Sequence, residues 1–379
     1  MLIRPRRLPR LSHPRQRSNR HRQRGIALLT AITITTIAVT IAAVLLYRQQ
    51  YSIQLTGNLA HREQAYHYVD GMEQWACLIL TRDRREGATD HRLEDWAQGK
   101  LLPPTPIEGG EMSGFLDDLQ ARINLNNLLA KPPTPNNNQQ NNANINQQNP
   151  LNSPTANNNG DNDETIPKNA NKYWFKTLQH LLNERELSAA TSEVLLDWLD
   201  EDQQATGSNG AESDFYLTLE RSYFAANSAM VTPTSLRLLK PVDEKIYDTL
   251  IPYISVLPKT TPVNVNTAPK TVLLALGFSN DAAQNILDQR EDNPLENPQE
   301  ALQFMPENER KNIAPEAISV DSQYFLLRGY VQIAEIHVSF NSIIHRNPQG
   351  QTIVIQREFA TIYPESNEST DNNDKLGNV

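Results

Sequence analysis

A chain of 379 residues, 38% of them hydrophobic, has room for about two or three domains with packed cores. Its formal net charge is −9, and nine of its 35 basic residues are arginines crowded before residue 25. That leaves 26 basic against 44 acidic residues, a balance of −18 that argues against a broad nucleic-acid surface and for protein partners. Cys77 is the only cysteine, which excludes an internal disulfide.

Arg4, Arg6, Arg7, Arg10, Arg15, Arg17, Arg20, Arg22 and Arg24 precede an uncharged run of 21 residues, Ile26 to Leu46. At about 1.5 Å of rise per residue the run just spans a hydrocarbon core of roughly 30 Å. The arginines hold the N-terminus in the cytoplasm by the positive-inside rule, so the remainder is exported. The run is longer than a secretory signal core and continues without a break into Tyr47-Arg48-Gln49-Gln50, so it is retained as a membrane anchor.

From Arg48 to about Arg82 no proline occurs, and Ile53, Leu55, Leu59, Tyr66, Val69, Met72, Ala76, Ile79 and Leu80 recur mostly three or four apart. This predicts that the membrane helix runs on with one buried face. Gly87 to Gly110 is turn-rich, with Pro103, Pro104 and Pro106 breaking any helix. Met112 to Asn127 alternates around a turn and predicts short strands. Lys131 to Asn171 is dominated by Asn, Gln and Pro, cannot bury enough to offset its ordering entropy, and is expected to be a disordered linker.

Helical spacing predicts helices over Tyr173 to Leu182, Leu187 to Leu199, Thr234 to Leu239, Asp243 to Leu250, Pro269 to Leu276, Asp281 to Arg290 and Pro298 to Met305. Three β-rich runs follow, Gln323 to Ala334, Ile336 to Arg346 and Thr352 to Ile362, the last two separated by the turn Asn347-Pro348-Gln349-Gly350. They are expected to complete the sheet begun near Phe115. The fold class is therefore α+β, with a long N-terminal helix packed on an antiparallel sheet and a large inserted all-helical domain.

No G-x-S-x-G, P-loop, H-E-x-x-H or C-x-x-C is present and the eight histidines are scattered, which argues against an enzyme. The one dense constellation is Asp197-Trp198-Leu199-Asp200-Glu201-Asp202 followed by Gly210-Ala211-Glu212-Ser213-Asp214. Two carboxylate clusters flanking a loop suit a hard cation, but the spacing is not an EF-hand, and charge runs are usually solvated surface. A second candidate is Pro262 to Pro269, a helix, Leu276-Gly277-Phe278-Ser279 and a further helix to Arg290. It looks like a helix-hairpin-helix unit, a phosphate-gripping device when basic. Here Lys270 and Arg290 are offset by Asp281 and Asp288, which favours a packing module and no nucleic-acid partner.

Arg-Gln-Arg-Gly at residues 22–25 followed by the apolar run resembles the type IV pilin and type II secretion pseudopilin superfamily. The resemblance implies cleavage by a prepilin peptidase between Gly25 and Ile26, with methylation of Ile26. Most members carry a glutamate at the fifth mature position, where this chain has Thr30, and that departure is similar to the minor pseudopilin K branch. The phrase Asn124-Leu125-Asn126-Asn127-Leu128 and the acidic run with its Gly-Ala-Glu phrase resemble the same branch. The resemblance implies a structural calcium site at Asp200, Asp202, Glu212 and Asp214, partners in the minor pseudopilins I and J, and a place at the tip of a periplasmic pseudopilus, helping to start its assembly. The alternative it leaves open is a minor pilin of a DNA-uptake or adhesive pilus. The organisation expected is a leader at 1–25, a transmembrane part at 26–46, a pilin-like first part at 47–128 and the linker at 129–171. An inserted helical domain at 172–320, with its hairpin unit at 262–290, is followed by C-terminal strands at 321–363 and a polar tail at 364–379.

Overall fold

The computed structural model describes residues 20–97, 102–129 and 170–360, with side chains from Ile26 onward. Most of the expected leader, nearly all of the linker and the polar tail therefore lie outside the described residues. The chain divides into two compact units, Met1–Glu63 and Gln64–Val379.

The first unit contains the N-terminal part of one helix, α1 (Arg20–Glu86), which has no proline anywhere along it. Its segment from Ile26 to Leu46 is long and apolar enough to cross a membrane once, and its large side chains are exposed. The threonines in this stretch do not spoil that. Thr30, Thr33, Thr35, Thr36 and Thr40 each donate their hydroxyl to a carbonyl three or four residues back, for example Thr30 Oγ1 to Ala27 O at 3.0 Å. Hydroxyls satisfied within the helix need no water.

In the second unit the remainder of α1 meets a five-stranded antiparallel sheet. Next in the chain come β1 (Leu102–Ile107), β2 (Gly110–Asp118) and a two-residue β3 (Ile123–Asn124). The expected turn region thus contains a strand. β1 accepts Pro103, Pro104 and Pro106 because it is the sheet edge, where half of the N–H groups face outward and are not needed by the ladder. The expected strands over Met112 to Asn127 are borne out only as far as Asp118 and at β3, because Leu125–Leu129 forms a 3₁₀ helix. Asn124 Oδ1 accepts the N–H of Asn126, a local bond that competes with strand pairing.

The insert follows with α2 (Lys172–Glu184), α3 (Ala190–Leu199), α4 (Ser213–Tyr216), α5 (Glu244–Leu250), β4 (Ile254–Ser255), β5 (Val263–Asn264), α6 (Lys270–Leu276), α7 (Asn280–Asp292), α8 (Pro298–Gln303), α9 (Glu307–Arg310) and β6 (Ile318–Ser319). It is helical apart from two parallel bridges, β3 with β4 and β5 with β6. Its own core gathers Phe175, Leu181, Leu196, Tyr216, Val265, Leu273, Ile286 and their neighbours. The chain then returns to the sheet as β7 (Tyr324–Ile333), β8 (Ile336–Arg346) and β9 (Thr352–Ala360), in the spatial order β1-β2-β7-β8-β9.

The helix lies on this sheet through Ala65, Val69, Met72, Ala76 and Leu80, all at most 1% exposed, against Leu327, Val331, Phe340 and Ile344. Their spacing of four, three, four and four residues is one face of a helix. Gly114 and Gly329 pair across β2 and β7 beneath Met72. A Cβ on Gly329 would stand 2.6 Å from the Phe340 ring and 2.8 Å from Met72 Cε, so the close approach of helix to sheet requires glycine there.

Candidate metal centre

α3 is buried on every side from Val194 to Leu199, and it stops at Asp200, whose backbone is extended. Trp198 packs edge-on against Tyr216 at 5.4 Å, and Tyr216 stacks on Tyr223 at 5.2 Å. This aromatic cluster pins the end of α3 to α4, whose N-cap is Glu212. The acidic residues are thereby placed on the two sides of one loop.

The loop itself is fastened from below. Asp197, 0% exposed, accepts the N–H of Thr206 at 2.9 Å, and Glu193 accepts Asn209 N at 2.9 Å. Gly207, in the left-handed region at φ 61°, lies so close to the Glu193 carboxylate that a Cβ would stand 2.7 Å from it. Asp202 Oδ1 accepts Gln204 N at 2.8 Å, and its carbonyl accepts Asn227 Nδ2 at 2.6 Å.

Asp200, Asp202 and Glu212 each bring a carboxylate oxygen within 4.8 Å of the others'. Asp214, expected to join them, does not. It lies exposed in the first turn of α4, past the N-cap that directs Glu212 inward. Glu212 is 6% exposed, and neither of its carboxylate oxygens has a hydrogen-bond partner. Burial, followed by Asp197, Asp200 and Asp202, pushes its carboxyl up to about 7. A buried acceptor without a donor is costly, and a hard divalent cation with oxygen preference is the group that satisfies such a set.

A second acidic group, Asp83, Asp90 and Glu94, is equally close but already compensated. Arg346 on β8, 1% exposed, donates Nη1 to Asp83 at 2.8 Å and to Leu80 O at 3.1 Å, and Nη2 to Asp90 and to Ser322 O. This is a buried ion cluster tying α1 to the sheet. Sequence reasoning missed it because the partners lie more than 250 residues apart, with no local signal.

The hairpin unit packs into the core of the insert through Leu273, Leu276, Phe278 and Ile286. Gly277 adopts a left-handed conformation at φ 108° to end α6, and Ser279 caps α7. Arg290, expected to be offset by Asp281 and Asp288, is 6% exposed and donates Nη1 to Val265 O and Ala268 O, both at 2.7 Å. It is spent on the protein's own backbone. Thr30 and Ile26 both lie on the exposed apolar helix, and Gly25 is described only as part of its helical backbone.

A long N-terminal helix, apolar in its first part and laid on an antiparallel sheet in its last, with a helical insert interrupting that sheet in sequence, defines a pilin-type, membrane-anchorable subunit. Family models described as type II secretion system (T2SS), protein K match residues 121–259 and 263–321, the insert and its borders. The chain is 32% identical over 356 residues to the type II secretion system protein K of Dickeya chrysanthemi, covering 89% of this chain and 97% of that one. It is 29% identical to the protein of the same name from Pseudomonas aeruginosa, covering 89% and 93%. The fold matches a chain in the crystal structure of the GspK-GspI-GspJ complex from the enterotoxigenic Escherichia coli type 2 secretion system, with a TM-score of 0.64 and 23% identity over 81% of this chain and 99% of that one. The chain belongs to the type II secretion system protein K family, and is a minor pseudopilin of that system.

Proposed function

We propose that this minor pseudopilin caps the membrane-distal tip of a periplasmic pseudopilus and helps start its assembly together with the minor pseudopilins I and J. The observation that carries this reading is the insert. It enters between two strands that are neighbours in the sheet, since Asp118 on β2 pairs directly with Phe325 on β7. A shaft built by repetition needs every subunit to offer the next one the same free surface, and a subunit bearing an extra domain fits at an end. The complex in which the similar chain was solved supports I and J as partners. The leader arginines favour a cytoplasmic N-terminus and a single pass of the inner membrane. Cleavage by prepilin peptidase before Ile26 leaves the apolar helix at the new N-terminus.

The three-carboxylate site is read as a calcium site that closes the loop between α3 and α4. Asp200, Asp202 and Glu212 would hold the ion, with Asp214 outside the set. The cation supplies charge neutralisation and cross-linking, and no reaction follows from it.

Locating the tagged protein in isolated pseudopili by electron microscopy, together with crosslinking to the products of its neighbouring genes, tests the reading. The expected result is one copy at the distal end crosslinked to I and J. Copies distributed along the shaft overturn it.

A further inference from the structure

The insert is joined to the pilin sheet by two crossings, one leaving after β2 and one returning before β7. Between them stands Asp118, 6% exposed, at the last residue of β2. Its Oδ1 accepts Gln120 N at 2.8 Å, on the outgoing crossing. Its Oδ2 accepts Ser322 Oγ at 2.6 Å on the returning crossing, and Thr267 Oγ1 at 2.5 Å and Asn264 Nδ2 at 3.1 Å from the body of the insert.

Four donors from three separate stretches thus converge on one carboxylate, which makes no ion pair among the described residues. A carboxylate is acceptor-only, with about four lone-pair positions, and so it alone among short side chains matches four donors without offering one of its own. An amide in its place would turn an NH₂ group toward N–H and O–H neighbours. The surrounding bonds repeat the same connection. Asn264 Nδ2 also donates to Asp90 O at 3.0 Å, Gln120 Oε1 accepts Gln323 N at 2.7 Å, and Arg92 Nη2 donates to Thr267 O at 2.9 Å.

We propose that Asp118 is a positioning residue: its carboxylate locks both crossings and the insert into one orientation on the pilin sheet. The consequence for blocking a further subunit rests on the capping reading above, whereas the fixed orientation does not. An insert free to swing on two crossings would leave the surface beneath it intermittently open.

The test uses the full-length chain in detergent micelles with Cys77→Ser, spin-labelled through Lys245→Cys in the insert and Glu335→Cys between β7 and β8, both exposed. Double electron–electron resonance on the Asp118 parent is expected to give one narrow distance distribution. Asp118→Ala is expected to broaden or shift it at temperatures where circular dichroism shows the chain folded. Asp118→Asn, which keeps one acceptor, is expected to lie between and carries the test if the alanine variant does not fold. A lowered melting temperature with the parent's narrow distribution retained overturns the proposal, because it reduces Asp118 to a contributor to stability. The measurement does not involve the pseudopilus, so it can fail while the tip location stands, or succeed while that location fails.

Discussion

Gly210 lies against the buried carboxylate of Asp197, so that a Cβ on the glycine would overlap Asp197 Oδ2 and stand 2.5 Å from both Thr206 N and Thr206 O. Two of these obstacles are backbone and the third is a fixed buried side chain, and none can step aside. Gly210→Ala is therefore expected to cost about 1–3 kcal/mol by overpacking. Thermal melting of the purified chain checks this, and an unchanged melting temperature would show that the loop is looser than described.

Glu212 carries the second prediction. The folded state holds its proton up to about 7, against an ordinary value of 4.5. Between those values the folded chain binds more protons than the unfolded one, so without a cation stability falls as pH rises through that window. A bound dication takes the place of the proton and removes the penalty. With chelator, the melting temperature is expected to drop between roughly pH 5 and pH 7.5, and with calcium that drop should vanish. Glu212→Gln should flatten the chelator curve and abolish the response to calcium. If calcium leaves melting unchanged across the whole range, the three acids do not hold calcium.

The acidic run shows how far the sequence is legible. Trp198 beside Asp197 and Asp200 marked the site, and the loop length between Asp202 and Glu212 permitted convergence. Whether Glu212 or Asp214 turns inward depends on where α4 begins, a matter of a single residue that periodicity does not resolve in a four-residue helix. Helices of the insert with strong spacing were predicted within a few residues, as was the long helix from Arg48 onward. β1 was missed because its three prolines read as turn, and their tolerance depends on its position at the sheet edge, which is a tertiary fact. Asn124 and Asn126 announced a motif without showing its cause. Their side chains satisfy buried carbonyls and N–H groups more than a hundred residues away, at Leu257, Lys259 and Met230.

Arg346 carries the third prediction. It is the cation beside Asp83 and Asp90, and burial already pushes Asp90 up to about 7 against the opposing pull of the guanidinium. Arg346→Met removes that pull and leaves two carboxylates beside each other at the junction of α1 and β8. A loss of about 3–5 kcal/mol is expected, the usual penalty for stranding one half of a buried pair. Urea unfolding followed by circular dichroism measures it, and a loss under about 1 kcal/mol would mean that water reaches the cluster.

Gly25 tests the leader. The peptidase reading requires a glycine immediately before the apolar run, and leucine there extends the run instead of marking its boundary. Gly25→Leu is expected to leave the chain uncut, with its mass including the first 25 residues. Normal processing of the variant by mass spectrometry would remove the peptidase reading.

Thr30 and the insert together carry the final prediction. A glutamate at the fifth mature position in the pilin superfamily offers a countercharge to the N-terminal amine of a neighbouring subunit inside an apolar bundle, where an unpaired charge is costly. Thr30 has no charge to offer, and its hydroxyl is already bonded to Ala27 O. On the capping reading, a subunit that joins at the top of the bundle has less need of that countercharge, and the insert would block another from docking over it. Thr30→Glu should consequently be tolerated for secretion, since it adds a function that an end position does not use. Removing the insert should have the larger effect on placement. Because Asp118 pairs with Phe325, residues 120–323 can be replaced by a short Asn-Gly turn that joins β2 to β7 directly. Provided circular dichroism shows the sheet intact, this variant is expected to appear within the shaft, whereas the parent stays at the tip. Immunogold labelling of pseudopili distinguishes the two, and a shortened variant still confined to the end would assign the capping role to the helix and Thr30 and take it from the insert.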